Sequence, residues 1–129
     1  MEYIFFLKGE VPAKKNSRQT LENGKTIPSK NYQKWHETAI FQLIFQRNSQ
    51  KIAKSLEFPL KLEISLTHGD FRRRDGDNAL SSILDILQDS KILSDDKWLI
   101  CRKITVENLY EKNNPHCKIC IKPYETMTV

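Results

Sequence analysis

Seven aspartates lie between Asp70 and Asp96, and the only other charged residues in that stretch are Arg72, Arg73, Arg74 and Lys91. Its densest part reads Arg72-Arg73-Arg74-Asp75-Gly76-Asp77-Asn78. Asp75 and Asp77 are two residues apart, so an extended backbone projects both carboxylates to one side. Gly76 lets the chain turn sharply between them. Two carboxylates held close repel each other unless a cation sits between them. Mg²⁺ is the natural occupant, because it takes oxygen ligands and keeps several waters. Such an ion polarises a phosphate oxygen and lowers the pKa of an attacking water. Adjacent arginines hold phosphates through paired N–H donors. These are the parts that phosphodiester hydrolysis requires. A plainer reading stands beside this one. Asp75, Asp77 and Asn78 are then loop and cap residues, Asp95-Asp96 is a turn, and Asp85 is solvated.

The rest of the charge is also segregated. Seven lysines and arginines lie from Lys8 to Lys34, opposed only by Glu10 and Glu22. The formal net charge is +5. A basic segment and an acidic segment in one small chain suit a protein that grips a polyanion and holds a cation against it. The alternative is two solvated faces of opposite sign.

The elements that must position these residues follow from periodicity. Tyr3 to Leu7 reads as a strand. Gly9 to Pro28 reads as a loop, with a short hairpin turning at Asn23-Gly24. Tyr32 to Ala53 reads as a helix on the spacing of Trp35, Ala39, Leu43 and Ile44. Leu60 to Leu66 alternates apolar and polar, the pattern of a half-buried strand. Asp77 to Asp89 reads as a helix with Leu80, Ile83, Leu84 and Leu87 as its apolar stripe. Asp77 or Asn78 caps its first turn, and the helix dipole favours carboxylates there. Leu99 to Leu109 and Pro115 to Lys122 read as strands joined by a turn from Glu111 to Asn114. This order predicts an α/β (α+β) chain, residues 1–129 forming a single domain with a mixed sheet and helices packed on it. Phe5, Phe6, Phe41 and Phe45 are expected in the core. Trp98 is expected in the core or at a dimer interface.

Other classes are disfavoured. No apolar run is long enough to span a membrane, and Met1 to Lys8 is too short for a signal peptide. Three cysteines fit no disulfide framework. Cys117-Lys-Ile-Cys120 has zinc or redox spacing but lacks a second pair, so ordinary thiols in a reducing cytoplasm are expected. His36, His68 and His116 are scattered and are expected on the surface or in helices. There is no glycine-rich phosphate cradle, which counts against a Mg²⁺-dependent hydrolase of nucleotides.

Taken as one pattern, Arg-Asp75-x-Asp77-Asn78, a helix carrying Asp85-x-Leu87, and Asp95-Asp96 before a strand resemble the RusA family of Holliday-junction resolvases, often of prophage origin. Gly9, Pro12, Lys14, Lys15, Asn16 and Arg18 resemble the family's DNA-contacting N-terminal loop. Tyr32 and Trp35 lie on a helix where the family has an aromatic one. The resemblance implies a small mixed α/β fold and a homodimer cutting four-way DNA junctions with Mg²⁺, for which Mn²⁺ can substitute. It implies Asp75, Asp77 and Asp96 as metal ligands and catalytic carboxylates, and a DNA-contacting loop from Lys14 to Arg18. Arg72, Arg73 and Arg74 are further candidates for DNA contact. One departure stands out. The family pattern has a catalytic lysine four residues after the second aspartate, and this chain has Ser81 there. Either another cation (Lys91, Lys97 or one of Arg72 to Arg74) serves instead, or activity is low, or the chain is a dimeric junction-binding protein that does not cut. Asp85 is expected to orient a metal-bound water, to pair with an arginine or simply to be solvated, and Asp95 has no assigned role in this reading.

Overall fold

The computed structural model describes residues 1–13, 18–74 and 76–125, and for residues 76–78 the helical backbone alone. The elements in chain order are β1 (Tyr3–Lys8), β2 (Arg18–Thr20), β3 (Thr26–Pro28), α1 (Lys30–Ser49), β4 (Leu60–His68), α2 (Gly76–Asp89), β5 (Cys101–Tyr110) and β6 (His116–Pro123). The expected mixed α/β architecture is present, with every expected element in place and most boundaries shifted by a few residues. The short hairpin forms as β2 and β3, and Leu21 N–H donates to the Lys25 carbonyl at 2.8 Å across its turn. Gly24 supplies the positive φ of +82° in that turn.

The alternation in β4 makes it a central strand. Leu60, Leu62, Ile64 and Leu66 are all buried. The main sheet runs β1-β6-β4-β5. β4 pairs antiparallel with β6 and parallel with β5. The parallel pair needs a crossover, and α2 provides it. Rows such as Phe5, Ile119, Ile64 and Val106 share one face of the sheet. Ala39 and Leu43 from α1 and Ile83, Ile86 and Leu87 from α2 complete the core with this face.

Both helices stop in the same way. Lys51 and Lys91 adopt φ of 60° and 63° just past their ends. Ile52 N–H then donates to Arg47 O at 3.2 Å, and Ile92 N–H to Leu87 O at 3.0 Å. These bonds satisfy last-turn carbonyls, and the isoleucine that follows each lysine enters the core. α1 therefore ends at Ser49 rather than at Ala53. At its start Ser29 Oγ accepts from Tyr32 N–H at 3.1 Å, so the helix begins ahead of Tyr32.

Three of the four phenylalanines expected in the core are not there. Phe5 is fully buried, but Phe6, Phe41 and Phe45 are exposed. Phe6 lies on the opposite face of β1 from Phe5, and Phe41 and Phe45 flank the buried Leu43 on the outer side of α1. Trp98 is also exposed, which removes it from the core. Its ring lies 5.7 Å from the Arg102 guanidinium, which also sits 4.8 Å from the Tyr124 ring. No helix of the described residues is long and apolar enough to cross a membrane.

Candidate functional site

The segment from Gly69 to Arg74 leaves β4 and leads into α2. Arg74 is held inside this segment. Its Nε lies 2.8 Å from Glu10 Oε1, and its terminal nitrogen lies 2.7 Å from Asp70 Oδ1. Its guanidinium also donates to the carbonyls of Asp70 and Arg72. The Arg72 backbone N–H and then the Arg74 guanidinium hold the Asp70 carboxyl below the usual carboxylate range. His68, the last residue of β4, meets the same Glu10 oxygen through Nδ1 and Asn108 Oδ1 through Nε2. Glu10 thus joins the loop after β1 to the segment that opens α2. Glu10 Oε2 is buried and has no hydrogen-bond partner among the described residues. Glu10, His68, Arg74 and Asn108 of this network line a cavity of about 360 Å³ with Val11, Pro12, Leu66, Arg73 and Ala79.

A second tie fastens the same loop to α2. Ser82 Oγ donates to the Pro12 carbonyl at 2.6 Å. The described part of that loop, as far as Ala13, therefore lies against α2 at the end of the sheet where the arginines lie. Arg18 begins β2, where its guanidinium donates to the Thr26 carbonyl at 2.7 Å. Arg72 remains open, with 83% of its side chain exposed and, among the described residues, a long 3.6 Å contact to Asp70. Arg73 is exposed too. Lys14, Lys15, Asn16 and Asp75 lie outside the described residues, as do the side chains of Asp77 and Asn78.

Asp96 is described, and it stands at the other end of the sheet. β4 and β5 run parallel, with Leu60 beside Cys101 and His68 beside Tyr110. α2 begins after His68 and returns to the Leu60 end. There Ser94 N–H donates to the Leu56 carbonyl and Leu60 N–H to the Ile100 carbonyl. Asp95 and Asp96 lie in the loop between those two anchors. Asp95 Oδ1 accepts from Lys97 N–H at 3.1 Å, the turn expected for this pair. The length of α2, about 20 Å at 1.5 Å per residue, separates Asp96 from the residues that open the helix. Among the described residues no three His, Cys, Asp or Glu side chains cluster as a metal site.

The remaining candidates divide between these two ends. Ser81 is exposed on the first half of α2. Asp85 is half-buried in mid-helix and lines a cleft with Tyr32, His36 and Asp89. His36 Nε2 lies 2.8 Å from Asp89 Oδ2. Lys91 and Lys97 lie at the Asp96 end, so of the suggested substitute cations only the arginines stand near the start of α2. The three cysteines carry no disulfide and are buried. Burial pushes the Cys117 thiol up to about 12.

The comparison with known families decides what this arrangement belongs to. The family model described as Endodeoxyribonuclease RusA matches residues 8–122. The chain belongs to the RusA family. It is also 26% identical over 127 residues to the crossover junction endodeoxyribonuclease RusA of Aquifex aeolicus (strain VF5), covering 98% of this chain and 96% of that protein. The RusA match takes in the basic loop, the arginine run and all seven aspartates. Two features of this RusA chain escape the sequence. Glu10 and His68 carry no motif, and their pairing depends on β4 ending beside the loop after β1. The lone acidic residue near the start of a basic segment is the one hint that Glu10 has a cationic partner.

Proposed function

We propose that this chain is a Mg²⁺-dependent, structure-selective endonuclease that cuts four-way DNA junctions as a homodimer. The observation that carries the reading is the RusA family match over residues 8–122, which includes both aspartate segments. Pro12 and Ala13, the last described residues before the basic loop, line one cavity with Arg73 and Arg74 at one end of the sheet, which supports a DNA-facing edge there. Arg72 and Arg73 are exposed at that edge, and they hold phosphates on either side of the scissile one. Arg74 sits in ion pairs with Glu10 and Asp70 and acts by keeping the segment in place.

Asp75, Asp77 and Asp96 are the residues that would hold the metal, and an all-carboxylate donor set fits Mg²⁺. When bound, Mg²⁺ supplies Lewis-acid stabilisation of the phosphate and an activated water. The distance along α2 supports a site shared by two chains. A two-fold pair brings Asp96 of one copy to Asp75 and Asp77 of the other, twice over. Two equivalent sites suit paired nicks in a junction that is itself nearly two-fold symmetric.

The test is incubation of the purified protein with a synthetic four-way junction in Mg²⁺ or Mn²⁺. Symmetric paired nicks are expected, with continuous duplex left intact. Their absence across a range of both metals overturns the reading. Ser81 motivates the second reading, a dimer that binds junctions without cutting them. That reading expects a salt-sensitive shift with junction DNA and no cleavage in either metal.

A further inference from the structure

Phe71 and Tyr110 form an exposed aromatic stack at the end of the molecule where the arginine run lies. Their ring centroids are 4.3 Å apart and their planes are inclined by 21°. Phe71 is 84% exposed and Tyr110 47%. An apolar ring that open makes little contribution to folding, since burial is what stabilises it. The pair does not belong to the core, and its members come from different elements. Phe71 lies in the segment between β4 and α2, and Tyr110 ends the edge strand β5. Tyr110 shares a strand face with Ile104, Val106 and Asn108. Ile104 and Val106 pack against the core on that face, and Asn108 reaches the Glu10–His68 network.

We propose that Phe71 and Tyr110 form a stacking platform for an unpaired nucleobase. This inference rests on the DNA reading above and adds what the site recognises. Charge complementarity favours a nucleobase over an apolar protein surface. The residues after Phe71 are Arg72 and Arg73, both exposed, and they stand ready for the phosphates that flank such a base. Tyr110 covers one face of the Phe71 ring, and the high exposure of Phe71 leaves the ring open to add a base to the stack. In continuous duplex every base is already stacked between neighbours. At a branch point or in a single strand, a base is free to leave its stack. The arginines read phosphate, which every DNA form offers equally. The platform reads the availability of a base, and so separates branched from continuous DNA.

The experiment measures binding in EDTA, so that cutting plays no part. Fluorescence anisotropy is recorded with three probes: a four-way junction, a continuous duplex of equal length, and single-stranded oligothymidine. Phe71→Ala is expected to weaken binding to the junction and to oligothymidine roughly tenfold, and binding to duplex less than about twofold. Phe71→Trp is expected to retain both affinities. Oligothymidine should also quench its fluorescence more than it quenches that of the unsubstituted chain. An equal loss on all three probes overturns the platform, as does no loss on any of them. Undiminished indole fluorescence with bound oligothymidine also overturns it. If the unsubstituted chain binds no DNA, the DNA reading fails and the platform falls with it. If it binds the junction but Phe71→Ala binds equally well, only the platform fails. The exposure of Phe71 keeps the fold out of the comparison, and a thermal melt of each variant verifies this.

Discussion

Arg74 donates from Nε to Glu10 Oε1 at 2.8 Å, and through that contact the loop after β1 holds the segment that opens α2. Both side chains are about one quarter exposed (24% and 27%), so the pair is shielded from water. Its loss would leave Arg74 with Asp70 and His68 with Asn108 as their remaining side-chain partners among the described residues. Glu10→Gln is expected to cost about 1–2 kcal/mol of stability, because the acceptor shared by two donors loses its charge. A urea titration measures it. A double-mutant cycle with Arg74→Gln should show coupling of about 1 kcal/mol, and simple additivity would sink the claim that the two act as a unit.

Gln46 protects a strand edge. Its side chain accepts from Phe6 N–H at 2.7 Å and donates to the Phe6 carbonyl at 2.7 Å. Gln50 does the same to Ile4, and Gln42 accepts from Lys8 N–H. The three glutamines are spaced by one helical turn, and the backbone groups they meet are spaced by two strand residues. α1 therefore takes the place of a neighbouring strand along the free edge of β1. Gln46→Ala is expected to cost about 1 kcal/mol and to raise the rate of association at moderate concentration. Urea titration and light scattering report the two effects separately, and a variant unchanged in both would refute the edge role.

The Cys117 thiol makes stability fall at high pH. Burial raises it from an ordinary 9.0 to about 12, so the folded chain keeps a proton that the unfolded chain releases. The contribution is fully present below pH 9 and is lost as pH rises toward 12. In that window each pH unit removes up to about 1.4 kcal/mol. Urea midpoints from pH 8 to 10.5 should therefore decline less steeply for Cys117→Ala than for the unsubstituted chain. Parallel declines would show that the thiol does not contribute.

Much of this fold could be read from period alone, because β4 and α2 have one clean apolar face each. The errors occur where a pattern does not say which side is covered. Phe41 and Phe45 sit one turn apart, as core residues do, yet the helix buries Ala39 and Leu43. The composition of α1 contains its glutamines but not the strand edge they meet. For the candidate site, the aspartate pattern proposes a chemistry and carries no geometry for it. Nothing in the spacing of Asp77 and Asp96 states that a whole helix runs between them in one direction. That fact comes from the parallel pairing of β4 with β5.

Ser81 tests whether the missing lysine limits cutting. It is exposed on α2, so a longer side chain there meets no packing penalty. Ser81→Lys is expected to raise single-turnover junction cleavage at least about tenfold through charge stabilisation. Ser81→Met, similar in length but uncharged, should not. Equal rates in all three proteins would mean that one of the arginines already supplies the charge.

A site shared between two copies, as proposed above, predicts complementation. Asp75→Asn and Asp96→Asn should each abolish junction cleavage when assayed alone. In a mixed dimer, one site receives both substitutions and the other receives neither. After subunit exchange of equal amounts, half the dimers are mixed, so about one quarter of all sites should be intact. Those dimers should make single nicks rather than symmetric pairs, because their second site is empty of two ligands. A denaturing gel of a junction labelled on all four strands distinguishes the two products. If both sites were built within single chains, every site in the mixture would carry one substitution. No cutting would then return, although exchange could be verified by co-purification of a tagged and an untagged copy. That outcome would refute the shared site and require Asp96 to reach α2's first turn within its own chain, against the roughly 20 Å that the helix sets between them.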